Sequence, residues 1–183
     1  MHQPRSVPGK DRIVLVGPPN VGKSVIFHAL TGAYVTVSNY PGTTVEITQG
    51  LGTFDHTEYE VIDTPGLHSL LPLTAEEEIT RTLLFTTTPT AVVHVIDAKN
   101  LEKLLPLTLQ LLEAELPVLL NLNLLDEAER VGMHIDSTAL EQELGIPVAA
   151  TVATTGQGIT TLRQKIAERA QQPVSPSPPL TYP

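Results

Sequence analysis

The chain of 183 residues contains no cysteine, which excludes disulfides and thiolate metal sites and suits a reducing cytoplasm. Basic residues are scarce as well: 11 Lys and Arg stand against 20 Asp and Glu, for a formal charge of −9. With no local basic patch, that balance opposes binding to nucleic acid or to an anionic membrane surface through bulk electrostatics. Long apolar runs are missing. The longest, around residues 116–125, is broken by Pro117, Asn121 and Asn123 and falls short of the roughly 18 residues of a membrane span. No signal peptide opens the chain, so it is expected to be soluble. There is no internal repeat, and His28, His56, His68, His94 and His134 stand too far apart to share a metal.

What is present is a chain 41% hydrophobic and 17% charged, enough for one domain with a sizeable core. Residues 1–10 are polar, carry Pro4 and Pro8 and read as a loose arm. Residues 11–171 read as the domain, and residues 172–183, rich in proline, as a linker or tail without a core. Within the domain, strands are expected at 12–16, 45–54, 58–62, 91–96, 117–122 and 147–152, and helices at 23–31, 75–85, 101–114, 136–144 and 159–170. The runs at 45–54 and 58–62, separated by Asp55, His56 and Thr57, suggest a hairpin and one antiparallel edge. The rest alternates strand with helix. The fold class is therefore α/β, a mostly parallel six-stranded sheet with one antiparallel edge strand and helices on both faces. Function belongs at the carboxyl ends of its strands.

One motif stands there. Gly17 to Ser24 read GPPNVGKS and fit GxxxxGK[ST] at every fixed position, between an apolar strand and a helix. The two glycines let backbone N–H groups approach phosphate oxygens, Lys23 can reach the β and γ phosphates, and the Ser24 hydroxyl can sit on Mg2+. The nucleotide contacts are expected along Pro19, Asn20, Val21, Gly22, Lys23, Ser24 and Val25. Asp63 to Gly66 read DTPG. On its own this is an ordinary turn, but beside a phosphate loop Asp63 can hold Mg2+ through water and the Gly66 N–H can face the γ phosphate. Residues 32–44, rich in Gly, Ser, Thr and Pro, are expected to be irregular and mobile, with Thr44 as a second Mg2+ ligand. Lys23, Thr44 and Gly66 are thus the catalytic candidates.

Asn123, Leu124, Leu125 and Asp126 match NxxD. Asp126 can accept from guanine N1–H and N2–H2 while Asn123 bridges base and backbone, and adenine would leave that carboxylate facing an acceptor. Leu124 replaces the usual lysine and can pack on the base. Ala153 and Thr154 occupy the place of a last base-contacting loop. Leu67 stands where a water-orienting glutamine is found in Ras-like proteins, so slow intrinsic hydrolysis is expected. His68 is read as solvated or packed.

These segments together resemble the N-terminal GTPase domain of the FeoB ferrous-iron transporter family. The likeness is carried by GPPNVGKS, by VSNYPGTTVE from Val37, by DTPG, by VIDAKNLEKLLPLTLQLLE from Val95, by PVLLNLNLLDEAE from Pro117 and by GIPVAATVATTGQGI from Gly145. It covers roughly residues 11–170. The resemblance implies a Ras-like P-loop GTPase fold, GTP or GDP with Mg2+ as cofactors, and K+ held by Asn20, which then joins the catalytic set. It further implies a cytoplasmic location at the inner membrane, a polytopic membrane transport domain as partner if the chain continues, a homo-oligomer, and no nucleic acid. The family's helical subdomain has no counterpart before the proline-rich tail. Two other readings stay open: a GTPase of ribosome assembly or tRNA modification, and a nucleotide sensor with negligible turnover.

Overall fold

The structure, a computed structural model, describes residues 11–172. The N-terminal arm and all but the first residue of the tail lie outside them. Seven strands form one sheet: β1 (Arg12–Val16), β2 (Val35–Asn39), β3 (Glu46–Phe54), β4 (Thr57–Asp63), β5 (Ala91–Asp97), β6 (Val118–Asn123) and β7 (Val148–Ala150), in the order β2-β3-β4-β1-β5-β6-β7. Pairings from β4 across to β7 are parallel, and β3 alone runs antiparallel to its neighbours. Six helices complete the domain: α1 (Lys23–Leu30), α2 (Ala75–Thr86), α3 (Leu101–Glu113), α4 (Leu125–Arg130), α5 (Ser137–Leu144) and α6 (Ile159–Gln171).

The central strands are apolar on both sides because both faces are covered. Ile13, Leu15, Val93, Val95 and Leu119 pack with Ile26, Phe27 and Leu30 of α1 and with Leu162 and Ile166 of α6. On the opposite face Val14, Val16, Val92, Ile96, Leu120 and Leu122 pack with α2 and α3 through Ile79, Leu83, Leu84, Leu107, Leu111 and Leu112. The alternation is that of a pleated strand, whose successive side chains point to opposite faces. Among the described residues no helix is long and apolar enough to cross a membrane.

Two expectations need correction. The sheet has seven strands and not six, because the segment read as irregular over 32–44 contains β2. That strand escapes notice for a physical reason: four of its five residues are exposed, so it lacks an apolar face, and it is held by the antiparallel ladder to β3. The second is α4, a helix of six residues, too short to show a helical period. The β3–β4 hairpin turns on Asp55 and His56, both with positive φ, as a two-residue loop matched to strand twist requires.

The buried polar residues include one histidine. His94 of β5 is fully buried; its Nδ1 meets Thr108 Oγ1 of α3 at 2.9 Å, and Nε2 has no hydrogen-bond partner among the described residues. Burial pushes its pKa down from 6.5 to about 3. The folded state therefore takes up this proton only at much lower pH than the unfolded chain. Stability is complete above pH 6.5 and falls as the pH drops from there toward 3, by about 1.4 kcal/mol per pH unit. Between pH 7.5 and 5 the expected loss is about 2 kcal/mol, read by urea unfolding at both values. His94→Gln should flatten that slope, and equal slopes in the two proteins would refute the assignment.

Candidate functional site

The loops that follow β1, β4, β6 and β7 meet at one end of the sheet. Leaving β1, the chain turns at Gly17, whose carbonyl accepts from Leu67 N–H at 2.9 Å. A Cβ at Gly17 would stand 2.2 Å from the Val95 carbonyl oxygen, at a φ of +148°. Glycine is thus required for the close approach of β1 to β5. Gly22, at φ +83°, caps α1 with no side-chain bond, and a Cβ there would meet Asn123 Nδ2 at 2.2 Å. Between them the loop stays open at the helix N-terminus, where N–H groups and the helix dipole favour an anion. Asn20 lies exposed in the left-handed region, φ +63°, a conformation asparagine tolerates better than most residues.

Pro18, Pro19, Asn20, Gly22, Lys23, Ser24, Val25 and Gly66 line a cleft of about 250 Å³. Gly66 sits under the Pro19 ring, with an added Cβ only 2.8 Å from Pro19 Cδ. At the cleft, Lys23 Nζ lies 2.6 Å from Asp63 Oδ1 and also donates to the Thr64 carbonyl, while Ser24 Oγ donates to Asp63 Oδ2 at 2.9 Å. The expected Lys23, Ser24 and Asp63 are therefore brought together across forty residues of sequence. Larger clefts exist, one of about 620 Å³ between the start of α3 and α5, but this phosphate-loop cleft alone among them gathers these groups. Among the described residues no three His, Asp or Glu side chains could hold a metal together. The donor set here is one carboxylate beside one hydroxyl, which suits a hard cation that keeps water and phosphate oxygens in its shell.

Thr44 is not brought in. It stands exposed in a turn in which Tyr40 N–H donates to the Val45 carbonyl at 2.8 Å and Thr43 Oγ1 to the Tyr40 carbonyl at 2.9 Å. It makes no hydrogen bond to Ser24 or Asp63. Leu67 is wholly buried in the α2–α3 face of the core, so its side chain is directed away from the cleft.

After Leu67 the chain is fastened by a residue not among the candidates expected from sequence. Glu77 of α2, itself buried, accepts from His68 N–H at 3.2 Å and from Leu73 N–H at 2.8 Å, and meets His68 Nδ1 at 3.1 Å. The Leu73 N–H, more than the His68 contacts, lowers its pKa against the opposing effect of burial. The signal was present as Thr74-x-x-Glu77, the spacing of a capping box. Thr74 Oγ1 does accept from Glu77 N–H at 3.2 Å, but the carboxylate reaches back to the loop.

The NxxD residues divide their work. Asn123, buried at the end of β6, donates through Nδ2 to the Val21 carbonyl at 2.9 Å, and its Oδ1 accepts from Thr151 Oγ1 at 3.0 Å and Ala153 N–H at 3.1 Å. It joins the phosphate loop to the loop after β7. Leu124 adopts φ +59° at the head of α4, a costly conformation for a bulky side chain and a mark of functional loops. Asp126 stands in the first turn of α4, partly exposed, with Arg130 Nη2 at 2.6 Å. Ala153 is buried and Thr154 exposed, so only the first of the two expected loop contacts is tied into the network.

Comparison with known proteins agrees with this arrangement. A family model described as ferrous iron transport protein B matches residues 11–166. The chain is 47% identical over 154 residues to an Fe(2+) transport protein A/Fe(2+) transporter FeoB fusion protein of Porphyromonas gingivalis, covering 82% of this chain and 18% of that one. It is 41% identical over 157 residues to the Fe(2+) transporter FeoB of Campylobacter jejuni, covering 86% and 26%. It thus spans about a quarter or less of these relatives' length. Among solved structures, the cytosolic domain of the T. maritima FeoB iron transporter in GDP form superposes with a TM-score of 0.84 at 41% identity, covering 90% of this chain and 64% of that one. The GMPPNP form gives the same score and identity over 88% and 64%, and the isolated G domain 0.81 at 40% identity over 88% and 99%. The chain belongs to the ferrous iron transport protein B family, and the part of that family it matches is the G domain.

Proposed function

We propose that this chain binds GTP with Mg2+ and hydrolyses it to GDP and phosphate, acting as the nucleotide-dependent switch of a ferrous iron transporter at the cytoplasmic face of the membrane. The observation that carries the reading is the convergence of Lys23, Ser24 and Asp63 at the mouth of the glycine-lined phosphate loop. Relatives that bind GDP and GMPPNP share its fold. Backbone N–H groups of residues 20–25 cradle the phosphates, and the Lys23 ammonium stabilises the charge that builds on them during transfer. Ser24 and Asp63 would hold Mg2+, which would supply positive charge to the phosphates. Gly66 would offer its N–H to the γ phosphate, and Thr44 would be a further ligand of the same cation. Leu67, buried in the core, does not orient water. The intrinsic rate is expected to be slow, and Asn20 would hold K+, which would supply positive charge from within the loop.

Guanine is selected by Asp126, with Leu124, Ala153 and Thr154 flanking the base and Asn123 fixing the loops around it. Asp126→Asn is expected to weaken GDP binding on the order of thirtyfold and to shift preference toward xanthosine diphosphate, since an amide offers a donor where guanine needs an acceptor. Competition between the two diphosphates measures it, and unchanged GDP affinity would remove Asp126 as the base reader.

The test of the function is phosphate release from GTP measured in K+ and in Na+, beside binding of GDP and ADP. Slow turnover faster in K+, with GDP preferred, is the expected result; equal affinity for ADP would refute the guanine assignment. Burial of Leu67 also favours a second reading, a sensor that binds without turnover. Single-turnover measurement separates the two, because no phosphate release over hours from bound GTP would establish the sensor. The partner in either case is the membrane transport domain of the same family, if the chain continues into one.

A further inference from the structure

β6 carries two amides where its other members, Val118, Leu119, Leu120 and Leu122, are aliphatic. Asn123 belongs to the guanine motif, but Asn121 does not, and it is fully buried on the same strand face, two residues earlier. Its register partners are Val95 of β5 and Ala149 of β7, both in the apolar cluster beneath α1 and α6. A buried amide in such surroundings is unfavourable unless it is bonded. It is bonded to one residue: Asn121 Nδ2 lies 3.1 Å from Thr151 Oγ1, and the same hydroxyl lies 3.2 Å from Asn121 Oδ1. Thr151, also fully buried, in turn lies 3.0 Å from Asn123 Oδ1.

The direction of these bonds matters. An asparagine amide is nearly symmetric in shape, so packing alone does not decide which end is oxygen. At Asn123 the ends must differ, because one faces the Val21 carbonyl and the other faces Ala153 N–H. A lone hydroxyl could serve as donor or acceptor to either end. With Asn121 Nδ2 donating into Thr151 Oγ1, the hydroxyl proton is free for its nearer acceptor, Asn123 Oδ1. The chain Asn121 N–H, Thr151 O–H, Asn123 C=O and Asn123 N–H then runs one way to the Val21 carbonyl, and such head-to-tail bonds reinforce one another. Thr151 also accepts from Leu125 N–H at 3.3 Å through its own carbonyl and donates its N–H to Leu122 at 2.8 Å. It therefore touches the start of α4, one residue before Asp126.

We infer that Asn121 and Thr151 are positioning residues of the guanine site, orienting the Asn123 carboxamide and with it the join between the phosphate loop, α4 and the loop after β7. The inference rests on the guanine reading above. Neither residue reaches the cleft, so their effect is carried by Asn123.

The test compares three variants with the starting protein, in each case by titration with a fluorescent GDP and by thermal unfolding. Thr151→Val keeps the shape but removes the hydroxyl; it is expected to weaken GDP binding roughly tenfold and to lower the melting temperature. Thr151→Ser is expected to restore both. Asn121→Leu with Thr151→Val removes both polar partners, so no buried amide is stranded, and the melting temperature is expected to recover while the affinity stays low. Affinity that recovers along with stability in the double variant, or that does not move in Thr151→Val, would overturn the positioning role and leave the guanine reading intact. A starting protein that does not bind GDP would overturn both.

Discussion

Lys23→Ala is expected to reduce GTP turnover on the order of a thousandfold, with nucleotide affinity falling as well. The magnitude follows from the place of the ammonium, at the mouth of a cleft whose other donors are all neutral: backbone N–H groups, the Ser24 hydroxyl and the Asn20 amide. Losing a single preorganised donor to developing oxyanion charge costs roughly 100- to 1000-fold in rate. Two features push this case to the upper end. Lys23 is the only cation among the residues lining the cleft, and Asp63, nearly buried, keeps only the Ser24 hydroxyl once the 2.6 Å ion pair is gone. An unpaired carboxylate beside the phosphates adds repulsion where attraction has been lost. Lys23→Arg should not rescue, since a planar guanidinium does not fit where a compact ammonium reaches both Asp63 and the Thr64 carbonyl. Single-turnover phosphate release and GDP titration read the two effects separately. Turnover of the alanine variant within about tenfold of the starting protein would show that the positive charge comes from elsewhere.

The second large effect is expected at Asn123, and there it falls on stability and binding together. Asn123→Ala strands the Val21 carbonyl, the Thr151 hydroxyl and the Ala153 N–H, which its carboxamide satisfies at 2.9, 3.0 and 3.1 Å. Each buried group left unpaired costs about 1–3 kcal/mol. Water can reach the loops at this end of the sheet and Thr151 retains Asn121, so the expected sum is about 3 kcal/mol. For a domain of this size that lowers the melting temperature by roughly 6–12 °C. GDP affinity should fall on the order of a hundredfold, because the phosphate loop and the base-reading turn lose their common tie. Asn123→Asp provides the sharper control. It keeps the acceptor toward Ala153 but sets a carboxylate oxygen against the Val21 carbonyl, so it is expected to be no better than alanine. A melting temperature within about 2 °C of the starting protein in both variants would mean that the tie carries no load.

The phosphate loop could be read in the sequence because its chemistry is local: two glycines, a lysine and a hydroxyl at fixed spacing between an apolar strand and a helix. The central strands were legible for a different reason. β1, β5 and β6 are buried on both faces, and such strands are written as mostly apolar runs, broken inside here only by His94 and Asn121. β2 was not legible, since its residues satisfy only backbone hydrogen bonds, which any sequence can make. The site divides in the same way. Lys23, Ser24 and Asp63 were expected together and are together, their meeting imposed by the parallel pairing of β1 with β4. The position of Thr44 depends on an exposed turn whose placement no local pattern sets. Asn123 was read as bridging base and backbone; which protein groups it bridges, the Val21 carbonyl, the Thr151 hydroxyl and the Ala153 N–H, is set only once β6, β7 and the phosphate loop are side by side. Glu77 was visible as a charge at a helix start, but its partners, the N–H groups of His68 and Leu73, belong to a loop with no period.

The exposed margin of the sheet bears on how the switch can work. Local opening costs little where few apolar contacts are broken, and β2 has almost none to break: Val35, Thr36, Val37 and Asn39 are exposed, and the ladder to β3 is its main anchor. Peeling β2 away leaves the packing of β4, β1 and β5 beneath both helical layers untouched. β2 itself is thus weakly coupled to the core, whereas Tyr40 and Val45, on either side of the turn that follows it, pack against the α2–α3 face. On the reading proposed above, bringing Thr44 to the cleft would require peeling β2 and also breaking the contacts of Tyr40 and Val45, so the γ phosphate would have to supply more than a few solvated backbone hydrogen bonds.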